Sequence, residues 1–501
     1  VTEELPHSSL SDLMSQRRGK LAGLRSSGIN PFPAQALSPS PSAEVLACHA
    51  DLGPGGHATE SVRVAGRLMT CRDMGKSIFA HLQDRTGKIQ IYLKKDELAD
   101  AFASFQNGVD LGDIVTVEGT AFRTRTGEIT VHVQRWSLLA KALRPPPEKF
   151  HGLTDVEVRY RRREVDLFAN EDVRSRFLAR QRMTASLRAT LTEKNFIEVE
   201  TPILQAVPGG AAARPFVTHH NALDRSLYLR IAPELFLKRL LVGGLERVFE
   251  LGRAFRNEGL DTRHNPEFTI LEVYQAYSDV HGMMDLAEEL IRSAARAVRS
   301  VPGADAGFEF SYRGRSVDLS LPFARWSLTD IFRDTLGLDY PSLCRKDQWK
   351  DAARSVGLSV GDLPDARCFD LILDEKVLPT LPSACFLYGY PASVSPLAKA
   401  SLETPEIAER FELFVCGEEV ANAYSEQNDP DVQRAHFEAQ AKKRGAGDDE
   451  AMPADEEFLT ALEHGMPPAG GLGIGVDRLS MILTGTDSIR DVILFPLLRT
   501  L

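Results

Sequence analysis

Between Val62 and Gln134, apolar and polar residues alternate in five short runs: VRVAGRLM, SIFAHLQD, KIQIYLK, DIVTVEG and EITVHVQ. A period of two sends successive side chains to opposite faces, so each run reads as a strand with one face to bury. The joins RTGK (Arg85 to Lys88) and RTGE (Arg125 to Glu128) each carry one Gly suited to a hairpin turn. Five such strands close together predict a small closed barrel, and the OB-fold is the commonest five-stranded barrel that binds oligonucleotides.

Around this region the pattern changes. Before it, LMSQRRGKLAGLRSSG reads as a short amphipathic helix stopping at Gly28, followed by the Pro-rich NPFPAQALSPSPS. After it, RPPPEKF places a stiff boundary at Pro145 to Pro147, so the expected domains are residues 1–147 and 148–501. The second opens on a helix, NEDVRSRFLARQRMTASLRATLTEKNF, with Asn170 as N-cap and Val173, Phe177, Leu187 and Leu191 at helical spacing. IEVETPIL follows as a strand broken by Pro202, which suits an edge or a strand end. ERVFELGRAF, PEFTILEVYQA and RFELFVCGEEV have β composition and interleave with helices such as MMDLAEELIRSAARAVRS, without a regular βαβ rhythm. The expected fold is α+β, a mostly antiparallel sheet flanked by helices.

Composition narrows the function. No run of 18 apolar residues could span a bilayer, and VTEELPHSSLSD has neither a basic nor an apolar leader region, so the expected location is the cytoplasm. Six scattered cysteines without a C-x-x-C pair predict buried thiols in a reducing compartment. A net charge of −11 argues against indiscriminate nucleic-acid binding, because counterion release rewards a surface that is basic where it meets phosphate. Local basic runs remain at Arg159 to Arg163 and Arg174 to Arg182.

Two constellations carry chemistry. VFELGRAFRNEG and HNPEFTILEVYQAY form two strand-like runs joined by a charged loop, a long hairpin. On one face, Arg256 and Glu258 of the first run meet Phe268, Glu272 and Tyr274 of the second, a grouping that converges on one small molecule. Surface salt bridges explain any single pair but not so many together. In GGLGIGVDRLSMILTG, glycines 471, 473 and 475 admit close backbone approach to a ligand, and the helix that follows favours an anion at its start. The spacing is not G-x-G-x-x-G, too little chain remains for a βαβ unit, and no G-x-x-x-x-G-K-[ST] occurs. Dinucleotide-binding and P-loop sites are therefore excluded.

These pieces lie in the order of a class II aminoacyl-tRNA synthetase and resemble the bacterial-type lysyl-tRNA synthetases. The helix with IEVETPIL resembles motif 1, FRNEG…HNPEFTILE motif 2, and GLGIGVDRL motif 3. PGGAAARPFVTHHNALDRSLYLRIAPELFLKRLLVGG, ERFELFVCGEEVANAYSEQNDP, GDDEAMPADEEFLTALEHGMPP, GRLMTCRDMGKSIFAHLQDRTGKIQIY and EKFHGLTDVEVRYRRR match as well, so the resemblance runs from near Leu13 to the end.

The resemblance implies ATP-dependent charging of tRNA(Lys) with L-lysine, with Mg²⁺, in a homodimer. It assigns catalysis to Arg256 and Arg478, and ATP binding to Arg256, Glu258, His264, Asn265, Phe268, Glu412 and Arg478, with Phe268 and Arg478 sandwiching adenine. Metal binding falls to Glu412 and Glu419. Lysine is implied to bind at Gly210, Glu234, Arg256, Glu272, Tyr274, Asn422, Tyr424, Glu426 and Gly475, with Glu272, Glu426 and Tyr274 around the ε-ammonium. Phe79, Gln90 and Glu128 are implied to read the anticodon. An ion pair at 4 Å contributes about 4 kcal/mol at an effective dielectric near 20, so two acids discriminate strongly against neutral side chains. A neutral amino acid would leave both acids buried and unpaired. An aspartate site needs a cation where this chain has Glu272 and Glu426.

Two other readings compete. A paralogue transferring lysyl groups to a protein or lipid would have lost the barrel or gained membrane spans. A catalytically silent RNA-binding regulator fits poorly with an intact Arg256, Glu412, Glu419 and Arg478. Glu164, Val165 and Gln427 depart from the family pattern, the last beside Glu426.

Overall fold

The computed structural model describes residues 10–147, 153–299, 307–445 and 451–499. The expectation about the extreme N-terminus and part of the junction EKFHGL lie outside these residues, as does part of GDDEAMPADEEF. The chain divides into two compact units, Val1–Thr154 and Asp155–Leu501.

In the first unit, helix α1 (Leu10–Ser26) precedes five strands: β1 (His57–Asp73), β2 (Ser77–Gln83), β3 (Lys88–Lys94), β4 (Ile114–Arg123) and β5 (Ile129–Ala140). They close into a barrel in the order β1-β2-β3-β5-β4, as the alternation predicts. Ile78, Ala80 and Leu82 of β2 and Ile89, Ile91 and Leu93 of β3 point inward, with Val115, Val117, Val131 and Val133 from the other side. At about 1.5–3 kcal/mol per fully buried Val, Leu or Ile, this face alone fixes the register, since a one-residue slip would expose all of it. Gly127 turns the β4–β5 hairpin at φ +95°, a left-handed conformation that favours glycine.

In the second unit, helix α2 (Glu171–Glu193) buries Val173, Met183, Leu187 and Leu191. Asn170 occupies the N-cap without capping through its side chain, because its Nδ2 donates to Asp166 Oδ1 at 2.6 Å instead. The central sheet has eight strands: β6 (Ile197–Glu198), β7 (Arg247–Phe255), β8 (Glu267–Ala276), β9 (Ala324–Ser327), β10 (Ala384–Tyr388), β11 (Arg410–Val415), β12 (Glu418–Ser425) and β13 (Ala469–Gly475). Their order is β9-β10-β11-β12-β13-β8-β7-β6. Only the outermost pairs, β9 with β10 and β7 with β6, are parallel. Pro202 falls just beyond the edge strand β6, where no ladder donor is required.

Helix α3 (Glu234–Val242) stands beside the β7–β8 hairpin, and α4 (Val280–Arg299) lies along one sheet face. Val280, Met283, Met284, Ala287, Leu290, Ile291, Ala294 and Val298 recur every three or four residues on α4 and are all buried. Helix α5 (Val476–Thr484) leaves β13 directly and covers the same core. The cysteines are all free, but Cys48 and Cys71 are exposed, against the expectation of buried thiols. Both sit near the end of an element, on its outer face. No helix among the described residues is long and apolar enough to cross a membrane.

Candidate active site

The antiparallel β7–β8 hairpin pairs Glu250 with Glu272 and Ala254 with Phe268. The first strand ends at Phe255, so Arg256 and Glu258 lie in the connecting loop rather than on a strand face as the alternation suggested. One backbone hydrogen bond, Arg256 N to Pro266 O at 2.9 Å, carries the pairing past the strand end and keeps Arg256 over the sheet. On the other side, β13 pairs Gly473 with Glu272 and Gly471 with Tyr274, while β12 brings Asn422 and Tyr424 alongside. The result is a cavity of about 380 Å³ walled by Gly210, Glu234, Arg256, Glu258, His264, Asn265, Phe268, Glu272, Tyr274, Glu419, Asn422, Tyr424, Gly475 and Arg478.

At one end of this cavity, acids gather. Glu272, from β8, accepts a hydrogen bond from Tyr274 Oη at 3.0 Å. Glu234, the first residue of α3, accepts from Lys238 Nζ at 2.6 Å. Glu426, just past β12, is 1% exposed and stands behind Gly471 rather than on the open wall. A Cβ on Gly471, which lines the cavity, would run into its Oε1, and among the described residues no hydrogen-bond donor reaches that oxygen. Lys238, which the sequence reading passed over, ion-pairs with Glu426 as well. Its position one helical turn after Glu234 in PELFLKRL was the available signal. Gln427 does not touch the Glu426 carboxylate: its Oε1 accepts from Asp429 N at 2.9 Å.

Burial pushes the Glu272 carboxyl up to about 8, reinforced by the charges of Glu234 and Glu426 and opposed by the Tyr274 hydroxyl and Arg256. Burial pushes Glu426 up to about 8 as well, with Lys238 opposing. At pH 7 burial therefore keeps Glu272 mostly protonated. An ammonium ligand stabilises the carboxylate, so its binding must expel that proton, and affinity must rise as pH approaches and passes 8. Calorimetry of lysine binding at pH 7, in two buffers of different ionisation enthalpy, should show net proton release that shrinks above pH 9; proton uptake would contradict the assignment.

At the other end the groups are cationic and aromatic. Arg256 lies with its guanidinium 5.1 Å from the Phe268 ring centroid, and its Nε is buried without an acceptor. Asn265 has a buried Oδ1 that accepts no hydrogen bond. Such orphaned groups on a cavity wall are waiting for a polar ligand. Arg478, from the first turn of α5, donates to Glu419 Oε2 at 2.9 Å and approaches His264 Nε2 at 3.4 Å. Asp261 Oδ2, 2.8 Å from His264 Nδ1, favours the tautomer whose Nε2 accepts from that arginine. The cation over Phe268 is Arg256, with Arg478 paired to Glu419.

Glu412 and Glu419 repel one another, and burial with that repulsion lifts Glu412 to about 7. Glu412 is off the cavity wall, gripped by Arg410 Nη2 at 2.5 Å and Tyr390 Oη at 2.8 Å. The neighbouring Asn422 Oδ1 is buried and without a donor. Two carboxylates and an amide oxygen suit a hard cation such as Mg²⁺, which takes few protein ligands and completes its shell with phosphate and water. No cluster of three or more metal-ligating side chains occurs among the described residues. Arg410 and Asp477 were also missed from the sequence. Asp477 anchors the α5 start by accepting from Thr269 N at 2.7 Å and pairing with Arg180 at 2.6 Å.

On the barrel, Gln90 Nε2 donates to Glu128 Oε2 at 2.7 Å, and His81 approaches the other oxygen at 2.9 Å. Phe79 is half-buried, not core, and packs on Tyr92 at 4.7 Å between centroids. Tyr92 in turn meets Phe122 and His132, so an aromatic surface adjoins the polar trio.

This architecture, a mostly antiparallel sheet with a carboxylate-and-guanidinium cavity at its centre, defines a class II tRNA synthetase. The family of class II tRNA synthetases (D, K and N) matches residues 155–499, and the OB-fold nucleic acid binding domain matches residues 62–139. A lysine--tRNA ligase of Carboxydothermus hydrogenoformans is 48% identical over 497 residues, covering 99% of both chains. Another from Pelotomaculum thermopropionicum is 48% identical over 98% of this chain and 95% of its own. One from Staphylococcus aureus is 46% identical over 98% and 99%. The chain belongs to the bacterial-type lysine--tRNA ligase family.

Proposed function

We infer that this protein activates L-lysine with ATP and transfers the lysyl group to tRNA(Lys). The observation that carries the substrate choice is the buried acid cluster Glu234, Glu272 and Glu426, in which no hydrogen-bond donor among the described residues reaches Glu426 Oε1. A protonated amine supplies that donor and the missing positive charge; a neutral or acidic side chain supplies neither.

In the first step a lysine carboxylate oxygen attacks the α-phosphorus of ATP, the bond to the bridging oxygen breaks, and pyrophosphate leaves. The nucleophile is already anionic at pH 7, so no general base is required. What the step needs is positioning and charge neutralisation of two approaching anions. Arg256 lies between the aromatic end and the acid end and holds carboxylate and α-phosphate together. Phe268 takes one face of the adenine and Arg478 the other, with Glu258, His264 and Asn265 contacting the nucleotide. Glu412 and Glu419 would hold Mg²⁺, which would neutralise phosphate charge when bound. Glu234 receives the α-ammonium, Asn422 the carboxylate, and Glu272, Glu426 and Tyr274 the ε-ammonium, while Gly210, Tyr424 and Gly475 shape the wall. In the second step a terminal ribose hydroxyl of the tRNA attacks the acyl carbon and AMP leaves.

Residues 1–147 form the anticodon-reading part, with Phe79 and its neighbours stacking an unpaired base and Gln90 and Glu128 reading its edge. Residues 148–501 are the catalytic part. A homodimer is supported by the exposed apolar residues Ile197, Ile203, Leu204, Val217 and Leu223 near the sheet edge. The site of action is the cytoplasm, with the tRNA. A charging assay with tRNA(Lys), tRNA(Asp) and tRNA(Asn) tests the reading. Glu272→Gln is expected to raise the lysine KM by about a hundredfold and leave that for ATP within a few-fold. Equal charging of tRNA(Asp), or an unchanged lysine KM, would overturn it.

A further inference from the structure

The sequence places a cation where a pocket for a cation least invites one. Lys238 is completely buried, one turn beyond Glu234 on α3, and its Nζ bridges Glu234 and Glu426. Burial of an ammonium is costly unless paired and hydrogen-bonded, so these two contacts hold it in place. They also hold the acids. Glu426 follows β12 directly, and among the described residues the cation placed against it is this lysine.

Charge counting shows why an acid pocket contains its own ammonium. Glu234, Glu272 and Glu426 together can carry three negative charges, whereas a bound lysine brings two ammonium groups to this end. Its carboxylate faces Arg256. One acid charge therefore lacks a partner from the substrate, and an uncompensated buried charge is strongly destabilising. Lys238 supplies the third cation.

We propose that Lys238 is a positioning residue for amino-acid selection: it grips Glu426 through Oε2 and Glu234 through Oε1, cancels one of three acid charges, and holds the Glu426 carboxylate against Gly471 of the cavity wall. The proposal rests on lysine being the substrate. Lys238 does not touch the reacting atoms, so it acts on amino-acid binding and not on the ATP end.

Lysine-dependent ATP-pyrophosphate exchange tests it, with KM for lysine and for ATP measured separately on the full chain. Lys238→Met keeps most of the apolar stem and removes the charge. It is expected to raise the lysine KM by about a hundredfold while the ATP KM stays within about twofold. In a Glu426→Gln background the same substitution should raise the lysine KM only a few-fold, because the carboxylate it balanced is gone. Parallel changes in both KM values, or effects that simply multiply in the double variant, would reduce Lys238 to a packing role and overturn the proposal. Should Lys238→Met fail to fold, the charge-balanced double variant is expected to fold; if it fails too, packing and not charge is at stake and the proposal falls. Wild-type protein without lysine-dependent exchange would refute the substrate assignment itself, whereas wild-type exchange with an unmoved lysine KM in Lys238→Met refutes only the role of Lys238.

Discussion

Arg256→Gln is expected to lower lysine-dependent ATP-pyrophosphate exchange by about a thousandfold, chiefly in kcat. Arg256 is the cation that faces both ends of the cavity: its guanidinium lies over Phe268, and its charge acts on Glu272. Its Nε is buried with no acceptor among the described residues, which leaves part of its hydrogen-bonding capacity for a ligand. Two anions must approach in the transition state, and a positioned arginine stabilises that state more than either substrate alone. Removing one such preorganised donor costs about 3–4 kcal/mol of barrier, which is the expected factor at 1.4 kcal/mol per tenfold. Glutamine keeps a donor but loses the charge, so folding should survive while lysine binding weakens less than kcat falls. A loss smaller than tenfold in steady-state exchange would remove Arg256 from the centre of the reaction.

Gly471→Ala is expected to raise the lysine KM by at least about a hundredfold while leaving ATP binding nearly intact. The added Cβ would lie 1.9 Å from Glu426 Oε1 and 2.5 Å from Tyr274 Cε1, so both side chains must move. The strand cannot yield, because β13 is hydrogen-bonded to β8 on one side and β12 on the other. Glu426 cannot retreat freely, because Lys238 holds its other oxygen. Gly473→Ala is the control: its nearest neighbour, Glu272 Oε1, is at 3.3 Å, and a shift of a few tenths of an ångström accommodates it. Equilibrium dialysis with labelled lysine and, separately, ATP distinguishes the two. If Gly471→Ala binds lysine as the wild type does, Glu426 is not part of the amino-acid seat.

That contrast also marks how far the residues spoke for themselves. The three glycines of GLGIG were read as admitting a ligand to the backbone. At Gly471 the space is instead taken by the protein's own carboxylate and tyrosine. Arg256 and Glu258 were placed on a strand by alternation, whereas the strand ends one residue earlier and a loop carries them. Phe79, implied by the resemblance to meet the anticodon, sits half-exposed on Tyr92. The barrel, the hairpin and the helix leaving the glycine strand were legible because each follows from the period of apolar residues or from side-chain chemistry within one short segment, whereas Glu234 and Glu426 of the acidic cluster were named only through the family resemblance.

The sequence by itself determined the strands, the mostly antiparallel sheet and the stock of acids and arginines available to the cavity, since local periodicity and burial leave little choice about which face turns inward. Only the tertiary structure decided that Lys238 bridges Glu234 and Glu426, that Gly471 makes room for Glu426, and that Arg478 rests on Glu419. These are contacts between segments far apart along the chain, and their strength depends on distances and shared burial that no single segment encodes.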